Sequence, residues 1–374
     1  MFETFTYRYL HFRPPPSNRP LPSLPPGITR HFIPTPSGNI EILYAAPSKP
    51  RPENASPIFL VHGGMGGAWV WLEYLTYLSA QGIPVYALSL RGHGNSWHPS
   101  YLRMLFFTTK HMLATDAVAG MEWVQSREGG REVVYVGHSS GGGLGQYILS
   151  RQMIKVKALV LAAAVPGFGS LGVYINWWRL DPFFTLRMLF HFSHPNSPLS
   201  HPTLTRRAFF SPSYPESSLL KFQSQTSRYE SYLWPFGMMR PFTDPFRLLS
   251  QITSLRTTTT TTTTTGTKKG GEKILVLAGE LDKLMTPGVM RDLAGMYRAA
   301  YTTLVKQKKV DSEGEEEEEE GEVKSIGGEG EGNEKDSAGA GVRLVFVPGA
   351  GHHLQNDVTW EIGARKLVEF YRQL

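Results

Sequence analysis

The sequence predicts an α/β fold, in which a mostly parallel central sheet is flanked by helices and a helical cap is inserted into the chain. Short β-branched runs alternate with longer helical patterns, which is typical of a parallel sheet covered by helices. The hydrophobic fraction of 41% is ample for a buried core. One long aromatic segment interrupts the alternation and is too apolar for a loop. We therefore expect a sheet domain with one inserted cap.

The individual elements follow from the period of the apolar residues and from the turn residues between them. Predicted strands are Ile40–Ala45, Ile58–Val61, Val85–Leu88, Val133–Val136, Ala158–Ala162, Lys273–Leu277 and Arg343–Val347. Predicted helices are Trp71–Ala80, Thr115–Gln125, Ser140–Ser150, Pro287–Tyr301 and Thr359–Gln373. Proline suits the first turn of a helix, where its missing N–H costs little, and Pro287 fits that position.

Composition also divides the chain into segments that differ in role. Residues 1–29 are expected to form an extended, proline-rich arm, and residues 165–250 the helical cap. The core domain then comprises residues 30–164 and 267–374. Low-complexity inserts are predicted at 257–271, which includes a nine-threonine run, and at the Glu/Gly-rich stretch 311–341, because neither has an apolar face to bury.

Charge and cysteine content exclude several classes of function. Residues 311–336 carry a net charge of −11, which leaves +17 for the remainder of a chain whose formal charge is +6. The basic residues are scattered rather than clustered, so no nucleic-acid partner is expected. Cysteine is absent, which excludes disulfides, thiolate metal sites and a thiol nucleophile.

The sequence also carries signals that bear on membrane insertion and location. The uncharged stretch Ala158–Ile175 is broken by Pro166 and three glycines, so we expect no transmembrane segment. Residues Met1–Arg13 lack the apolar core of a secretory signal, which favours an intracellular, cytoplasmic protein; a mitochondrial location is the alternative.

The clearest chemical motif is a serine on a strand-to-helix turn. The run Val133–Val136 leads into Gly137-His138-Ser139-Ser140-Gly141, a Gly-x-Ser-x-Gly pattern, and then into a glycine-rich helix. Such a turn is strained and tolerates only small residues two before and two after the serine. We therefore predict that Ser139 is an exposed nucleophile.

A serine nucleophile needs a base, and the base needs an acid that orients it. His352 follows the last predicted strand on a glycine-rich loop, with the adjacent His353 as the alternative base. Asp282 follows the strand Lys273–Leu277 and is the predicted acid; Glu280 is the alternative. The predicted catalytic residues are thus Ser139, Asp282 and His352.

Two backbone donors should stabilise the oxyanion that forms during acyl transfer. The N–H of Ser140, directly after the nucleophile, is one candidate. The other is expected on the loop His62-Gly63-Gly64-Met65, after the strand Ile58–Val61, with Gly64 as the donor and Met65 as the neighbouring alternative. Glycine lets the backbone approach an oxyanion closely.

With these motifs in order, the chain from about Arg30 onward resembles the α/β-hydrolase fold superfamily, in its branch with a helical cap. The segment Ser89-Leu90-Arg91-Gly92-His93-Gly94-Asn95-Ser96 is similar to a family motif, Asp-x-Arg-Gly-x-Gly-x-Ser. Ser89 stands where the family usually has Asp, which puts a structural Asp–Arg contact in doubt but not the chemistry.

The resemblance implies a serine hydrolase that cleaves an ester through an acyl-enzyme, and the apolar cap suggests a small, lipophilic acyl or aryl substrate. An aminopeptidase, a thioesterase, a carbon–carbon bond hydrolase and a non-catalytic ligand receptor of the same fold are the alternatives. No cofactor is expected, because no Gly-x-Gly-x-x-Gly follows the first strand and no metal-ligand cluster is evident. The sequence does not indicate the oligomeric state.

Overall fold

The structure is a computed structural model that describes residues 2–50, 55–255, 272–307, 324–326 and 333–374. Its described strands and helices alternate along the chain and build one mostly parallel sheet covered by helices, which confirms the predicted α/β fold class. The strands at the centre of the sheet are buried along their whole length, as strands covered on both faces must be.

Within the described residues the sheet has ten strands, in the order β1-β2-β4-β3-β5-β6-β7-β10-β9-β8. Their bounds are β1 Ile28–Thr35, β2 Gly38–Ala45, β3 Ile58–Val61, β4 Val85–Ser89, β5 Val134–His138, β6 Ala158–Ala162, β7 Ile274–Gly279, β8 Lys324–Ile326, β9 Asp336–Gly339 and β10 Val342–Val347. The six neighbouring strands β4-β3-β5-β6-β7-β10 are parallel. Antiparallel strands extend the sheet at both edges. The carboxyl ends of β3, β5, β7 and β10 therefore meet at one edge, where ligands of open α/β sheets bind.

The helices connect these strands and cover the sheet. Their bounds are α1 Leu72–Ala80, α2 Tyr101–Phe107, α3 Lys110–Arg127, α4 Ser140–Ser150, α5 Leu171–Leu180, α6 Phe184–Phe190, α7 Pro202–Phe209, α8 Glu216–Gln225, α9 Leu233–Phe236, α10 Pro245–Leu249, α11 Pro287–Lys306 and α12 Trp360–Tyr371. Helix α11 begins as predicted, because the Thr286 hydroxyl accepts from Val289 N–H and Pro287 occupies the first turn.

The segment between β6 and β7 carries six of these helices, α5 to α10, which we call the cap helices. They lie within the range 165–250 that the sequence assigns to the cap. The cap has its own buried residues, such as Trp234 and Phe222, and Phe209 packs on the core-domain residue His353 with ring centroids 4.7 Å apart. The aromatic residues of this segment therefore serve in part as packing between the cap and the core domain.

Outside the predicted cap and inserts, the strand β1 and the helix α2 have no counterpart among the predicted elements. Strand β1 pairs antiparallel with β2 at the edge of the sheet, and its side chains are mostly exposed or half-buried. Its residues lack a regular alternation and include Pro34, so the pattern is weak. Helix α2 exposes Leu102, Phe106 and Phe107, and no polar face marks it as a surface helix.

The predicted inserts have different outcomes. The threonine-rich insert at 257–271 lies outside the described residues. The prediction of a structureless insert over 311–341 is wrong at Lys324–Ile326 and Asp336–Gly339, because these residues form β8 and β9 and extend the sheet beyond β10. A strand at the sheet edge is held by main-chain hydrogen bonds, which need no apolar side chains and leave no hydrophobic pattern. Residues 311–323 and 327–332 of this insert lie outside the described residues.

The N-terminal arm is also less solvated than predicted at its start. Leu10 is buried, and the Phe5 ring packs edge-on against Phe190 of α6 at 5.5 Å. Arg187 of α6, which pairs with Asp181, donates to the Thr4 hydroxyl at 2.7 Å. The start of the arm therefore packs against helix α6 on the outer side of the cap. No helix in the described part of the chain combines the length and the apolar character needed to cross a bilayer.

Candidate active site

Ser139 lies at the turn between β5 and α4, in a backbone conformation that few residues adopt. Its φ and ψ angles are 51° and −122°. A Cβ atom added at Gly137 would lie 2.6 Å from backbone atoms of α4, and one added at Gly141 would lie 2.3 Å from the carbonyl oxygen of His62. The two glycines of the motif are therefore required by close packing around the turn, as the sequence predicts.

The structure brings the three predicted catalytic residues together although they are far apart in the chain. Nε2 of His352 lies 3.0 Å from Oγ of Ser139, and Nδ1 lies 2.8 Å from Oδ2 of Asp282. All three are buried or nearly so, with 9%, 2% and 3% of the surface of Ser139, His352 and Asp282 exposed. Hydrogen bonds in so dry a setting are stronger than they are in water.

The acid is fixed by the turn after β7. Oδ1 of Asp282 accepts from the N–H groups of Leu284 and Met285 at 2.8 and 2.9 Å, which leaves Oδ2 for the imidazole. Glu280, the alternative acid, instead accepts from the N–H of Gly349 at 2.9 Å and thus orders the start of the His352 loop. Geometry favours Asp282 over Glu280 as the partner of the imidazole.

His353, the alternative base, faces the other way. It is buried among aromatic residues of the cap, including Phe209 and Phe222, and its backbone N–H donates to the carbonyl of Phe209. Burial, with a smaller effect from His352, lowers the pKa of His353 to about 3, so its ring is neutral. His353 is therefore a packing residue between the cap and the core domain.

The sequence does not single out His138, although it lies inside the serine motif. Nε2 of His138 lies 2.9 Å from the carbonyl oxygen of His352, and a carbonyl only accepts, so the ring donates. Complete burial lowers the pKa of His138 well below its usual value and keeps the ring neutral. His138 thus ties the loop that carries the imidazole to the strand that carries the serine.

The predicted oxyanion donors border the same space. Gly64 and Ser140 line a cavity together with Ser139 and His352. The N–H of Met65, the alternative donor, is already bonded to Oε2 of Glu230 at 2.8 Å. Among the described residues, the N–H groups of Gly64 and Ser140 have no such acceptor. Geometry therefore favours the pair that the sequence predicts.

The Gly64 loop is held from its other end by His62. Nδ1 of this histidine faces the carbonyl oxygen of Gly63 at 2.7 Å, and Nε2 accepts from the N–H of Leu90 at 3.1 Å. Burial, with the nearby His93 adding to the effect, lowers the pKa of His62 well below its usual value. A neutral ring with its hydrogen on Nδ1 satisfies both bonds and pins the loop to the end of β4.

Glu230, from the cap, is a second site residue that the sequence gives no signal for. It is 5% exposed, and its two oxygens accept from the N–H groups of Met65 and Ser231 at 2.8 and 2.7 Å. Its Oε2 also lies 2.8 Å from Nε2 of His93, whose Nδ1 faces the carbonyl of Arg91. Both nitrogens of His93 face acceptors, so the ring carries two hydrogens and a positive charge.

The pKa of His93 agrees with that assignment. Burial alone would lower it, but the Glu230 carboxylate and the hydrogen bonds of the ring outweigh burial, so the pKa lies above its usual value. A buried ion pair therefore connects the cap, through Glu230, to the loop that carries Gly64.

The structural contact between an aspartate and Arg91, which Ser89 puts in doubt, is made by Asp116. Arg91 forms a bidentate, buried ion pair with Asp116 of α3, with N–O distances of 2.6 and 2.7 Å. Ser89 donates to Glu41 and accepts from the N–H of Ala68, both at 2.8 Å. The departure from the family motif therefore relocates the carboxylate partner of the arginine without removing it.

The cavity above Ser139 is mostly apolar and has a volume of about 320 Å³, within the usual range for small-molecule sites. Its walls combine the core-domain loops with cap residues, principally Tyr174, Trp177, Phe184, Met188, Phe209, Trp234, Phe236 and Met239. No group of three or more His, Asp or Glu side chains able to hold a metal ion occurs among the described residues.

Comparisons with known proteins identify the family and the fold. The profile of the α/β-hydrolase family matches residues 58–317. A protein of Arabidopsis thaliana, provisionally named chloroplastic methylesterase 13, is 32% identical over 108 residues, which are 28% of this chain and 22% of the relative. The chain thus aligns with about a fifth of that relative's length.

Two solved structures share the fold over almost the whole chain. A hydrolase from Pseudomonas aeruginosa has a TM-score of 0.54 at 17% identity and covers 91% of this chain and 97% of its own. An esterase from Exiguobacterium antarcticum has a TM-score of 0.53 at 15% identity and covers 91% and 98%. The fold and the family match together confirm the resemblance that the motifs indicate: the chain belongs to the α/β-hydrolase family.

Proposed function

We propose that the chain is a serine hydrolase that cleaves an ester of a lipophilic acyl or aryl group through an acyl-enzyme on Ser139. One observation carries the proposal. A continuous set of hydrogen bonds, 3.0 Å and 2.8 Å long, connects the Ser139 hydroxyl through His352 to the Asp282 carboxylate, directly beneath an apolar cavity. This arrangement activates a hydroxyl that is otherwise a weak nucleophile.

In the first half of the reaction, Nε2 of His352 takes the proton of Ser139 as Oγ attacks the ester carbonyl carbon. Asp282 holds the imidazole in the tautomer that exposes Nε2 and stabilises the charge that it gains. The imidazolium then gives the proton to the leaving alcohol as the carbon–oxygen bond breaks, and the acyl group stays on Ser139. In the second half, Nε2 of His352 takes a proton from water as the water oxygen attacks the acyl carbonyl carbon. The bond between the acyl group and Ser139 then breaks, the carboxylic acid leaves, and the imidazolium returns the proton to Oγ of Ser139.

The tetrahedral intermediates of both halves carry a negative oxygen. We assign its stabilisation to the N–H groups of Gly64 and Ser140, because they border the cavity beside the nucleophile. The position of Ser140 at the start of α4 adds the favourable potential of a helix N-terminus. Two fixed donors of this kind contribute several kcal/mol, at roughly 2.7–4 kcal/mol for each donor removed.

The walls of the cavity support a lipophilic substrate. Cap residues such as Trp177, Phe184 and Met239 surround the space above Ser139, and polar groups there are few. Each buried methylene of an acyl chain gains about 0.8 kcal/mol, so the preference among chain lengths should be steep until the cavity is filled. An ester substrate is also consistent with the esterase from Exiguobacterium antarcticum, whose fold this chain shares.

The proposal is tested with a series of 4-nitrophenyl esters whose acyl chains run from two to twelve carbons. We expect the wild type to hydrolyse them with a kcat/KM that rises over the first methylenes, by about fourfold for each, and then falls when the chain outgrows the cavity. Ser139→Ala should lose this activity while keeping the wild-type melting temperature. Equal turnover by the two proteins would refute the assignment of Ser139.

A further inference from the structure

Helices α5 and α6 of the cap are apolar on more than one side. Their inner residues, such as Trp177 and Phe184, line the cavity above Ser139. Their outer residues are also apolar, at helical spacing on each helix, yet open to solvent: Leu171 64%, Ile175 53%, Trp178 57%, Leu186 57%, Leu189 68% and Phe190 49% exposed. A helix that is hydrophobic all round is normally covered on every side.

The exposed apolar surface continues beyond these two helices. Phe192, just after α6, is 80% exposed and lies 6.5 Å, ring to ring, from Tyr7 of the N-terminal arm. Tyr232 hydrogen-bonds to the carbonyl of Ser193 and packs against Phe106 of α2 at 6.0 Å. We call the combined surface of α5, α6, Phe192 and α2 the apolar cap face; contiguous apolar surfaces of this extent mark interaction sites.

The charges on this face have one sign. Residues 165–193 contain a single acid, Asp181, which is buried and paired with Arg187, and residues 99–115 contain none. Arg103 of α2 and Arg179 of α5 are exposed. The one exposed acid on the neighbouring N-terminal turn is Glu3. An apolar surface bordered by arginines complements the anionic headgroups of a lipid bilayer, whose surface attracts such side chains.

We propose that the apolar cap face rests on the surface of an anionic lipid bilayer, with Trp178, Leu189 and Phe192 inserted at the level of the headgroups. Tryptophan and phenylalanine are favoured at that depth. Because the inner sides of α5 and α6 line the cavity, a lipophilic substrate reaches it from the same helices that touch the bilayer. The route of the substrate into the cavity rests on the proposed function, whereas the membrane binding does not.

A second copy of the chain could cover the same face, and the test separates the two occupants. The experiment measures co-sedimentation of the full chain with vesicles of phosphatidylcholine alone and with vesicles containing 30% phosphatidylserine. The anchor variant is Trp178→Ser with Leu189→Ser. The matched control is Leu220→Ser with Phe246→Ser, which removes two exposed apolar side chains from α8 and α10, helices outside the face. Circular dichroism verifies that both variants fold.

We expect the wild type to bind the anionic vesicles, the control to bind equally, and the anchor variant to lose affinity at least about tenfold. Arg103→Gln and Arg179→Gln should each weaken binding to anionic vesicles by roughly fivefold and leave binding to neutral vesicles unchanged. Ser139→Ala should bind like the wild type, which separates this proposal from the catalytic one.

Three outcomes overturn the proposal. The first is a wild type that does not sediment with either vesicle. The second is equal loss of binding in the anchor and control variants. The third is a dimer, detected by light scattering, that dissociates in the anchor variant while vesicle binding is absent, since a second copy then occupies the face.

Discussion

Removal of the Glu230 carboxylate should destabilise the protein and slow its reaction together. The side chain is 7% exposed and accepts three hydrogen bonds of 2.7–2.8 Å, from Met65, Ser231 and His93. In Glu230→Ala all three donors lose their acceptor, and the imidazolium of His93, which is fully buried, loses its counter-charge. Breaking a buried pair in this way costs about 3–5 kcal/mol.

The assay is urea denaturation at pH 6, with Glu216→Ala as the matched control. Glu216 is also a cap glutamate in an ion pair, with Arg206, but its side chain is 65% exposed, so its removal should cost under about 1 kcal/mol. Because the Met65 N–H belongs to the loop that carries Gly64, we also expect kcat/KM to fall about 10–100-fold in Glu230→Ala, the effect of losing part of one oxyanion donor. Equal stability of the two variants would refute the reasoning.

The same pair predicts how stability depends on pH. The folded-state pKa of His93 is raised, so its contribution is fully present below the unfolded value of about 6.5 and is lost as the pH rises through the folded value. The stability difference between wild type and Glu230→Gln should therefore be largest near pH 6 and shrink at higher pH. A difference that grows from pH 6 to pH 9 would contradict a charged His93.

Two further predictions concern the nucleophile and its support. Asp282→Asn should lower kcat by about 10³–10⁴-fold with little change in KM, because the amide favours the wrong imidazole tautomer; steady-state kinetics check this, and a loss under tenfold would contradict the role of the acid. The Cβ of Gly141→Ala would lie 2.3 Å from the carbonyl oxygen of His62, so this variant should lower the free energy of unfolding by at least about 1–3 kcal/mol in urea denaturation. The control Gly295→Ala, in α11 with open space around it, should raise the free energy of unfolding by roughly 0.5–1 kcal/mol. Equal effects of the two variants would refute the packing argument for the Ser139 turn.

The sequence predicts the central strands and the Ser139 turn well because local physics determines both. A buried parallel strand must be a short apolar run, and β5, β6 and β7 each read that way. The turn requires small residues at fixed offsets from the serine, which is a pattern within five positions. Chain order then suggests Asp282 and His352, since each follows a strand of the same sheet.

Contacts between distant segments leave no such pattern. Glu230 reaches Met65 across 165 positions, and nothing near Glu230 in the chain distinguishes it from a surface glutamate. His138 and Asp357 likewise act on the His352 loop through backbone groups, which any sequence supplies; Asp357 accepts from the N–H groups of Gly351 and Ser211. Such residues can be found only once the fold has placed them.

Strand β9 is an element that the composition of its segment argues against. Its residues Asp336–Gly339 lie beside a Glu/Gly-rich tract, and composition predicts no structure there. Pairing with β10 supplies main-chain hydrogen bonds at the sheet edge and overrides the composition. The acidic and glycine-rich character of the segment therefore describes its side chains but not its backbone.

The central claim, that Ser139 is a nucleophile activated by His352, is tested most directly by intact-protein mass spectrometry after treatment with a fluorophosphonate. We predict one adduct per wild-type chain, located by peptide mapping on Ser139, no adduct in Ser139→Ala, and labelling at least about 10³-fold slower in His352→Ala. A well-folded wild type that takes up no reagent, or an adduct that persists in Ser139→Ala, would contradict the claim.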